Sequence, residues 1–518
     1  MKRIGLIPGL TIRVFCFLLI FFPIINAQQK SECLVRVTLL QLNDVYQFAP
    51  VDNGAHGGLG RVVTLKKKVE SESPHTLFLL AGDTISPSVE SLTYKGAQMI
   101  EAWNAAKLDY ATFGNHEFDF GPDLLRLRMN ESNFKWLAAN VLDRKTQKPF
   151  ATAEQFVIRE FDGVKIGLFG LVLPETQNTS RPGPDIDFLD PCETARKVVA
   201  ELHDRGVKVV VALTHLSMRE DKEVARCADV DVIVGGHEHT LLESSAGGAP
   251  IFKMTADARE LGQIQLNILA ATGELHSVDW KVIPVGAETK PDPQFVSLMS
   301  KYDPLLRALS VVAGRTSVPL DGRSAANRNE ETNLGDFIAE SFRRAVGAEI
   351  SIMNGGSIRS DTTTNPGRLT KRDILSILPF KNRVVKLEIT GALLRTALEH
   401  GVARSAEDAE PGRFPQVSGI RFVFDVRRPP GSRVVKVTVN GQPLNDRKMY
   451  TLAAPDFIAA GGDGYTMLQE ARLLIRPEQA PVDADVLRRA ISSARTIAPK
   501  IDGRITRLNG QRRKKDCN

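Results

Sequence analysis

What most limits how this chain can fold is a series of apolar runs that end alike. Between residues 33 and 240, "CLVRVTLLQLND", "TLFLLAGD", "YATFGNHE", "KIGLFGLVLPE", "VKVVVALTH" and "VDVIVGGHEH" are rich in Val, Ile, Leu, Phe or Thr. Polar stretches with helical spacing separate them. Runs this continuous suit strands buried on both faces, in a sheet covered by helices. At or just past the carboxyl ends of these runs stand Asp44, Asp83, Asn115, His215, His237 and His239. In α/β sheets, binding sites form outside those ends.

At 518 residues the chain exceeds one ordinary domain. The alternation runs from residue 33 to about 285. "ETKPDPQFVSLMSKYDPLLRALS" then brings three prolines and a helical pattern, which predicts a linker helix. A second unit follows. "NLGDFIAESFRRAVG" places Leu334, Phe337, Ile338 and Phe342 on one helical face and stops at Gly347. "EISIMNGGSIR" reads as a strand entering a glycine turn, "GALLRTALEHGV" as a helix, and "GIRFVFDV" and "VVKVTVNG" as strands. This predicts a mixed α+β domain with its own core.

The first residues read as a secretory signal. Lys2, Arg3 and Arg13 form a basic region, "VFCFLLIFFPII" an apolar one, and Ala27 a small residue for cleavage. Three positive charges belong to that leader and four more to the tail at Arg512, Arg513, Lys514 and Lys515. The body is therefore close to neutral, and no nucleic acid polymer is expected as partner. A secreted or periplasmic location is expected, with no stable membrane anchor after cleavage. Past the leader, Cys33, Cys192, Cys227 and Cys517 form no Cys-x-x-Cys pair, and their pairing is not legible.

Carboxylates, an amide and imidazoles at strand ends form a metal-ligand set suited to Zn, Mn, Fe or Co. Singly, each has a plainer reading as a turn residue or helix cap. In order along one domain they are hard to explain otherwise. With "GNHEFDFG", "AGDTISPS", "GLVLPET" and "GGHEHT", the chain resembles the dinuclear metallophosphoesterases, and within them the two-domain 5′-nucleotidase family. The resemblance implies a fold of class α/β, a four-layer α/β/β/α domain at residues 28–290 after a signal peptide at 1–27. A linker helix and hinge at 291–312 would join it to a smaller α+β nucleotide-binding domain at 313–508, followed by a basic tail at 509–518. It implies two divalent ions, one on Asp44, Asp83 and His239, the other on Asp83, Asn115, His215 and His237, with Asp83 bridging. His116 would face the phosphate in the transition state, with Asp119 orienting its imidazole. Glu117 receives no catalytic role and is expected to be structural.

In the second domain "NGGSIRS", "LPF", "QVSGIRFVFD" and "PDFIAAGGDGY" resemble the same family. They imply that Phe380 and Phe457 sandwich the base, Asp463 binds ribose hydroxyls and Asn354 reaches the base. Arg328 and Arg359 would contact phosphate. The implied activity is removal of phosphate from nucleotides, extending to nucleoside di- and triphosphates or UDP-sugars, with the second domain rotating about a hinge near 293–312. Two alternatives are weighed: a 2′,3′-cyclic-nucleotide phosphodiesterase with 3′-nucleotidase activity, and a nucleotide-binding protein with an impaired metal site. One departure bears on the metals. Tyr46 stands in "LNDVYQF" where the family usually has a His ligand, and a neutral phenol is a poor donor at pH 7. The first ion is therefore expected to be the weaker one.

Overall fold

The computed structural model describes residues 33–405 and 411–508. The leader, the basic tail and Cys517 lie outside the described residues. Among the described residues no helix is long and apolar enough to cross a membrane.

The first domain is built on two stacked six-stranded sheets, and its strands run in chain order as follows. They are β1 (Leu34–Leu42), β2 (Thr76–Leu80), β3 (Tyr110–Thr112), β4 (Lys135–Leu137), β5 (Val141–Asp143), β6 (Phe156–Phe161) and β7 (Val164–Val172). There follow β8 (Ile186–Phe188), β9 (Val209–His215), β10 (Val232–Gly235), β11 (Leu242–Ala246), β12 (Ala249–Lys253), β13 (Glu260–Leu269) and β14 (Leu275–Pro284). One sheet has the order β14-β13-β1-β2-β3-β4 and the other β11-β12-β10-β9-β7-β6, while β5 and β8 pair separately. In both, the central strands are parallel and the antiparallel pairings lie toward the edges.

The period-two alternation of side chains decides which residues meet. Val35, Val37 and Leu39 of β1 and Leu77 and Leu79 of β2 face the opposite sheet, where Leu168, Val209, Val211 and Leu213 await them. Leu40, Leu42, Phe78 and Leu80 face the other way, toward helices. Trp103, on the helix Ala97–Ala106, meets the Phe78 ring with centroids 5.9 Å apart. On the far side, Gly167 of β7 lets the helix Pro191–Asp204 approach closely: a Cβ there would lie 2.8 Å from Leu202. The layers are therefore helix, sheet, sheet, helix. The helices Pro191–Asp204 and Met218–Cys227 are also joined by the disulfide Cys192–Cys227, while Cys33 is free and exposed.

Between the domains run the helix Pro293–Met299, a turn at Ser300–Tyr302 and the helix Asp303–Ala308. The second domain centres on a five-stranded sheet in which Ile350–Asn354 lies between Pro415–Ser418 and Met449–Pro455. Beside it is a four-stranded sheet containing Ile420–Asp425 and Val434–Val439. The helix Asn333–Ala345 starts on Thr332, whose side chain accepts from Gly335 N, and buries Leu334, Ile338 and Phe342. Phe337 is only partly buried.

Candidate metal and nucleotide site

The carboxyl ends of β1, β2, β3, β9 and β10 converge, and the backbone is bent there to bring donors inward. Asp44, Asp83 and His237 all have positive φ, at 53°, 60° and 83°. A non-glycine residue in the left-handed region costs on the order of 1 kcal/mol or more, and such strain clusters at functional sites. Gly114 allows the closest approach: a Cβ there would stand 2.1 Å from Asp83 Oδ1.

Each aspartate commits one oxygen to the protein and turns the other inward. Asp44 Oδ2 accepts from Asn43 Nδ2 (2.8 Å) and His237 N (2.9 Å), leaving Oδ1 to face the centre. Asp83 Oδ1 accepts from His116 N (2.8 Å). Its Oδ2 lies 3.2 Å from His215 Nε2 on one side and 3.2 Å from Tyr46 Oη on the other, between the two halves of the site. His215 Nδ1 is 2.8 Å from the Ala81 carbonyl oxygen, which fixes the ring and aims Nε2 inward.

The donors fit metal ions. Asp44, Asp83 and His215 offer three ligand atoms within 4.8 Å of one another. Asn115 Oδ1 is buried and lacks a hydrogen-bond partner among the described residues, as expected of an atom that serves a cation. Burial disfavours charge on Asp44 and Asp83, yet His215 beside them holds both carboxyls below the usual range. Burial likewise opposes charge on His215, but Asp83 and Asp44 push it up to about 10. The site demands positive charge. His237 is half-buried, with its ring 5.2 Å from that of His215, and desolvation drives it toward the neutral form.

His116 Nδ1 is 2.8 Å from Asp119 Oδ2, and its Nε2 lies 4.0 Å from Asp83 Oδ2, facing the centre. Ser180 Oγ extends this chain: its single hydrogen has two acceptors in reach, Asp119 Oδ1 (2.9 Å) and the Asn115 carbonyl (2.5 Å). Glu117 ties the loops together. Its Oε2 accepts from Asp83 N (2.9 Å) and Gly114 N (2.6 Å), and its Oε1 from Thr84 N (2.7 Å) and Ile85 N (3.2 Å). Burial, and then Asp83, push its carboxyl up to about 7 against those amides.

Below the His215 and His237 loops lies a buried ionic triad. Lys253 Nζ contacts Asp221 Oδ2 at 2.7 Å and Glu238 Oε2 at 2.5 Å, and donates to the Leu216 carbonyl at 2.6 Å. The chain turns into the helix after His215 through a capping box of Ser217 and Glu220.

The second domain closes over this floor, enclosing a cavity of about 430 Å³ lined by residues of both domains. Arg328, Asn354, Arg359, Phe380, Phe457 and Asp463 all line it, together with Asp83, Asn115, His116, His237 and His239. Their arrangement differs in detail from a simple sandwich. One face of Phe380 lies against His116, centroids 5.7 Å apart at 24°, so a base between Phe380 and Phe457 would use its other face. Asn354 is engaged at both ends: Nδ2 donates to Asp463 Oδ2 (2.6 Å) and Oδ1 accepts from Ser357 (2.7 Å). It positions Asp463. Arg359 donates to Tyr46 Oη at 2.7 Å. Asp361 Oδ2 lies 3.2 Å from His239 Nδ1 and orients that imidazole from the other domain.

Glu117's bridging role, Ser180, Asp361 and the Lys253 triad carry no signal of their own in the sequence. Glu117 alone could have been suspected, from its place inside "GNHEFDFG".

Comparison with known proteins gives the chain a family. Residues 37–241 match the calcineurin-like phosphoesterase family, and residues 312–470 the C-terminal domain of 5′-nucleotidase. The chain is 30% identical over 522 residues to a 5′-nucleotidase of Diplobatis ommata, covering 91% of this chain and 89% of that one. The 5′-nucleotidase of Homo sapiens is 30% identical, with 87% and 85% covered. A trifunctional nucleotide phosphoesterase of Bacillus subtilis is also 30% identical, but the chain spans only 36% of its length. Among solved structures, a 5′-nucleotidase precursor from Thermus thermophilus superimposes with a TM-score of 0.85 at 31% identity, covering 92% of this chain and all of that one.

Proposed function

This chain belongs to the 5′-nucleotidase family and is a phosphoric monoester hydrolase, and from that premise we propose that it removes phosphate from nucleotides in the cleft between its two domains. One observation supports the reading above others. Asp83, Asn115, His116 and His237 share a single cavity with Phe457 and Asp463, so a phosphate at the donors and a nucleoside at the second domain fit one ligand.

Asp83, Asn115, His215 and His237 would hold one divalent ion, and Asp44, Asp83 and His239 would hold another. Bound metal supplies Lewis acidity toward the phosphate and a hydroxide-like nucleophile near neutral pH. The chain's own residues do the rest. Asp119 and Ser180 fix the His116 ring so that Nε2 faces the developing negative charge. Arg328 supplies a cation to the phosphate side of the cavity. Phe457 offers an aromatic face to the base and Asp463 a carboxylate to ribose hydroxyls, which separates nucleotides from simple phosphate esters. The reading includes a secreted or periplasmic location and a substrate range reaching nucleoside di- and triphosphates or UDP-sugars.

The test is phosphate release from 5′-AMP, 3′-AMP, 2′,3′-cyclic AMP, ADP and UDP-glucose, with Mn or Co added and with a chelator. Metal-dependent turnover, fastest on a 5′-substituted nucleotide, is expected. Preference for the 3′ or cyclic substrates would move the assignment to the phosphodiesterase alternative. Tight ADP binding without any turnover would leave a binding protein.

A further inference from the structure

Resting on the reading of this site as a metal centre, we propose that Lys253 is a positioning residue for the metal ligands. Its buried ammonium ties together the two loops that carry His215, His237 and His239, and so sets how tightly both ions are held. Lys253 does not line the cavity, and it acts only through these other residues.

Lys253 is the last residue of β12, directly beside Gly235 in the parallel pairing with β10. Its side chain has room there because residue 235 is a glycine. A Cβ at that position would lie 2.9 Å from Lys253 Cε and 3.2 Å from Asp221 Oδ2. The ammonium meets three oxygens, one for each N–H it carries, and each oxygen belongs to a different segment. The Leu216 carbonyl, at 2.6 Å, directly follows His215. Glu238 Oε2, at 2.5 Å, stands between His237 and His239. Asp221 Oδ2, in ion-pair contact at 2.7 Å, belongs to the first turn of the helix Met218–Cys227.

The two carboxylates pass the tie on through their other oxygens. Asp221 Oδ1 accepts from Thr214 Oγ1 (2.7 Å), on the residue before His215. Glu238 Oε1 accepts from Met218 N (2.6 Å), at the start of the helix that follows His215. The loop after β9 and the loop after β10 are thus joined twice, once through the ammonium and once through Glu238 and Met218. The second loop needs such anchoring. His237 has left-handed φ, its own N–H donates to Asp44 Oδ2, and the next residue, Glu238, is held by Lys253. The strained backbone is therefore pinned at two successive residues, with a ligand imidazole on either side of Glu238.

Stability alone does not account for three charges in this place. Lys253 and Asp221 are fully buried and Glu238 is nearly so. Well-packed apolar side chains in place of a buried ion pair are often as stable or more so, because no charge has to leave water. An apolar side chain cannot fix the distances between three particular oxygens, and fixing them is what a metal centre built on two separate loops requires.

Lys253→Met combined with Glu238→Gln tests this. The triad keeps one net negative charge, so a change in ion binding is not Coulombic, and the amide oxygen at 238 still accepts from Met218 N. The full chain is stripped with chelator, titrated with Zn against a chromogenic chelator, melted without metal, and assayed on 5′-AMP with saturating Mn. The double variant should melt close to the wild type yet hold both ions about 10–100-fold less tightly. Its kcat should fall with KM unchanged, since the nucleoside is gripped by the other domain. Glu238→Gln alone is the milder variant: its one amide oxygen serves Met218 N or Lys253 but not both, so affinity should fall by a smaller factor. Wild-type affinity for both ions in either variant overturns the proposal. So does a double variant that loses metal-free Tm but not ion affinity, which assigns the triad to stability. If the variants loosen the ions but the wild type hydrolyses no nucleotide, this inference stands and the proposed function falls. A wild type that binds no ion under any loading ends both.

Discussion

Replacing Glu117 by Gln changes one oxygen for an amino group and leaves shape and volume almost untouched. The position is nonetheless among the most exacting in the site. Each carboxylate oxygen accepts two backbone N–H groups, Asp83 and Gly114 at Oε2, Thr84 and Ile85 at Oε1. Whichever way the amide turns, its NH₂ meets two N–H donors in a buried place. An unsatisfied buried donor costs about 1–3 kcal/mol, so the substitution should destabilise the first domain by about 2–6 kcal/mol. Because Asp83 N is one of the four donors, the Asp83 carboxylate proposed to bridge the ions should also shift. Losses of support behind a metal ligand typically weaken binding about 10–100-fold. Guanidinium unfolding of the metal-free protein reads the first effect, and competition with a chromogenic chelator reads the second. A variant with the wild-type midpoint and wild-type metal affinity would refute the reasoning and reduce Glu117 to a filler.

His116→Asn should lower kcat at least about 100-fold with metal content unchanged, since the imidazole is not among the donors and acts on developing charge; loss of metal would instead make it a ligand. Phe457→Ala should raise KM for 5′-AMP far more than for p-nitrophenyl phosphate, because only the nucleotide has a base to stack, and equal losses would place the ring in the core. Asp483 gives a pH prediction: burial, with Asp456 and Asp485 nearby, pushes its carboxyl up to about 8. The folded chain thus keeps a proton that the unfolded chain releases near pH ~3.9, so stability falls as pH climbs from about 4 to about 8. Asp483→Asn should shrink the difference in Tm between pH 5 and pH 8, and an unchanged difference would show that Asp483 does not titrate in this window.

The parts of the site legible in the sequence are those whose chemistry is carried by a residue and its place on a strand. A buried parallel strand must end at the sheet edge, so a donor such as His215, the last residue of β9, is delivered to that edge by periodicity alone. Asp44 and Asp83 lie just past their strands, where the chain is free to take up left-handed φ. What was not legible depends on contacts between segments far apart in the chain. Asn354 reads as a base-binding amide, yet both ends of that amide are used to hold Asp463 and Ser357. Tyr46 reads as a lost ligand, and only the fold shows its hydroxyl set between Arg359 and the carboxylates of Asp44 and Asp83. The Cys192–Cys227 pairing depends on two helices that pack side by side, which no spacing of four cysteines reveals.

The metal floor and the substrate domain are not independent modules. His239 is oriented by Asp361, Tyr46 receives a hydrogen bond from Arg359, and His116 is covered by Phe380, and all three partners belong to the second domain. Asp361 is the clearest case. Burial works against its charge, but the hydrogen bond to His239 holds its carboxyl well below the usual range, and Ser324 N donates to it as well at 2.7 Å. A carboxylate on the outer nitrogen of a ligating imidazole fixes the ring and makes its other nitrogen a better donor. Asp361→Asn keeps the size and one acceptor oxygen but removes the charge. It should therefore weaken binding of the ion proposed on His239 by about 10–100-fold, although the altered residue lies in the second domain. The other proposed ion, on Asp83, Asn115, His215 and His237, should be unaffected. Stepwise metal release against a chelator series separates the two. If both ions leave the variant as they leave the wild type, the contact across the domains is incidental. If the first ion alone loosens, any movement of the second domain must change the metal centre too.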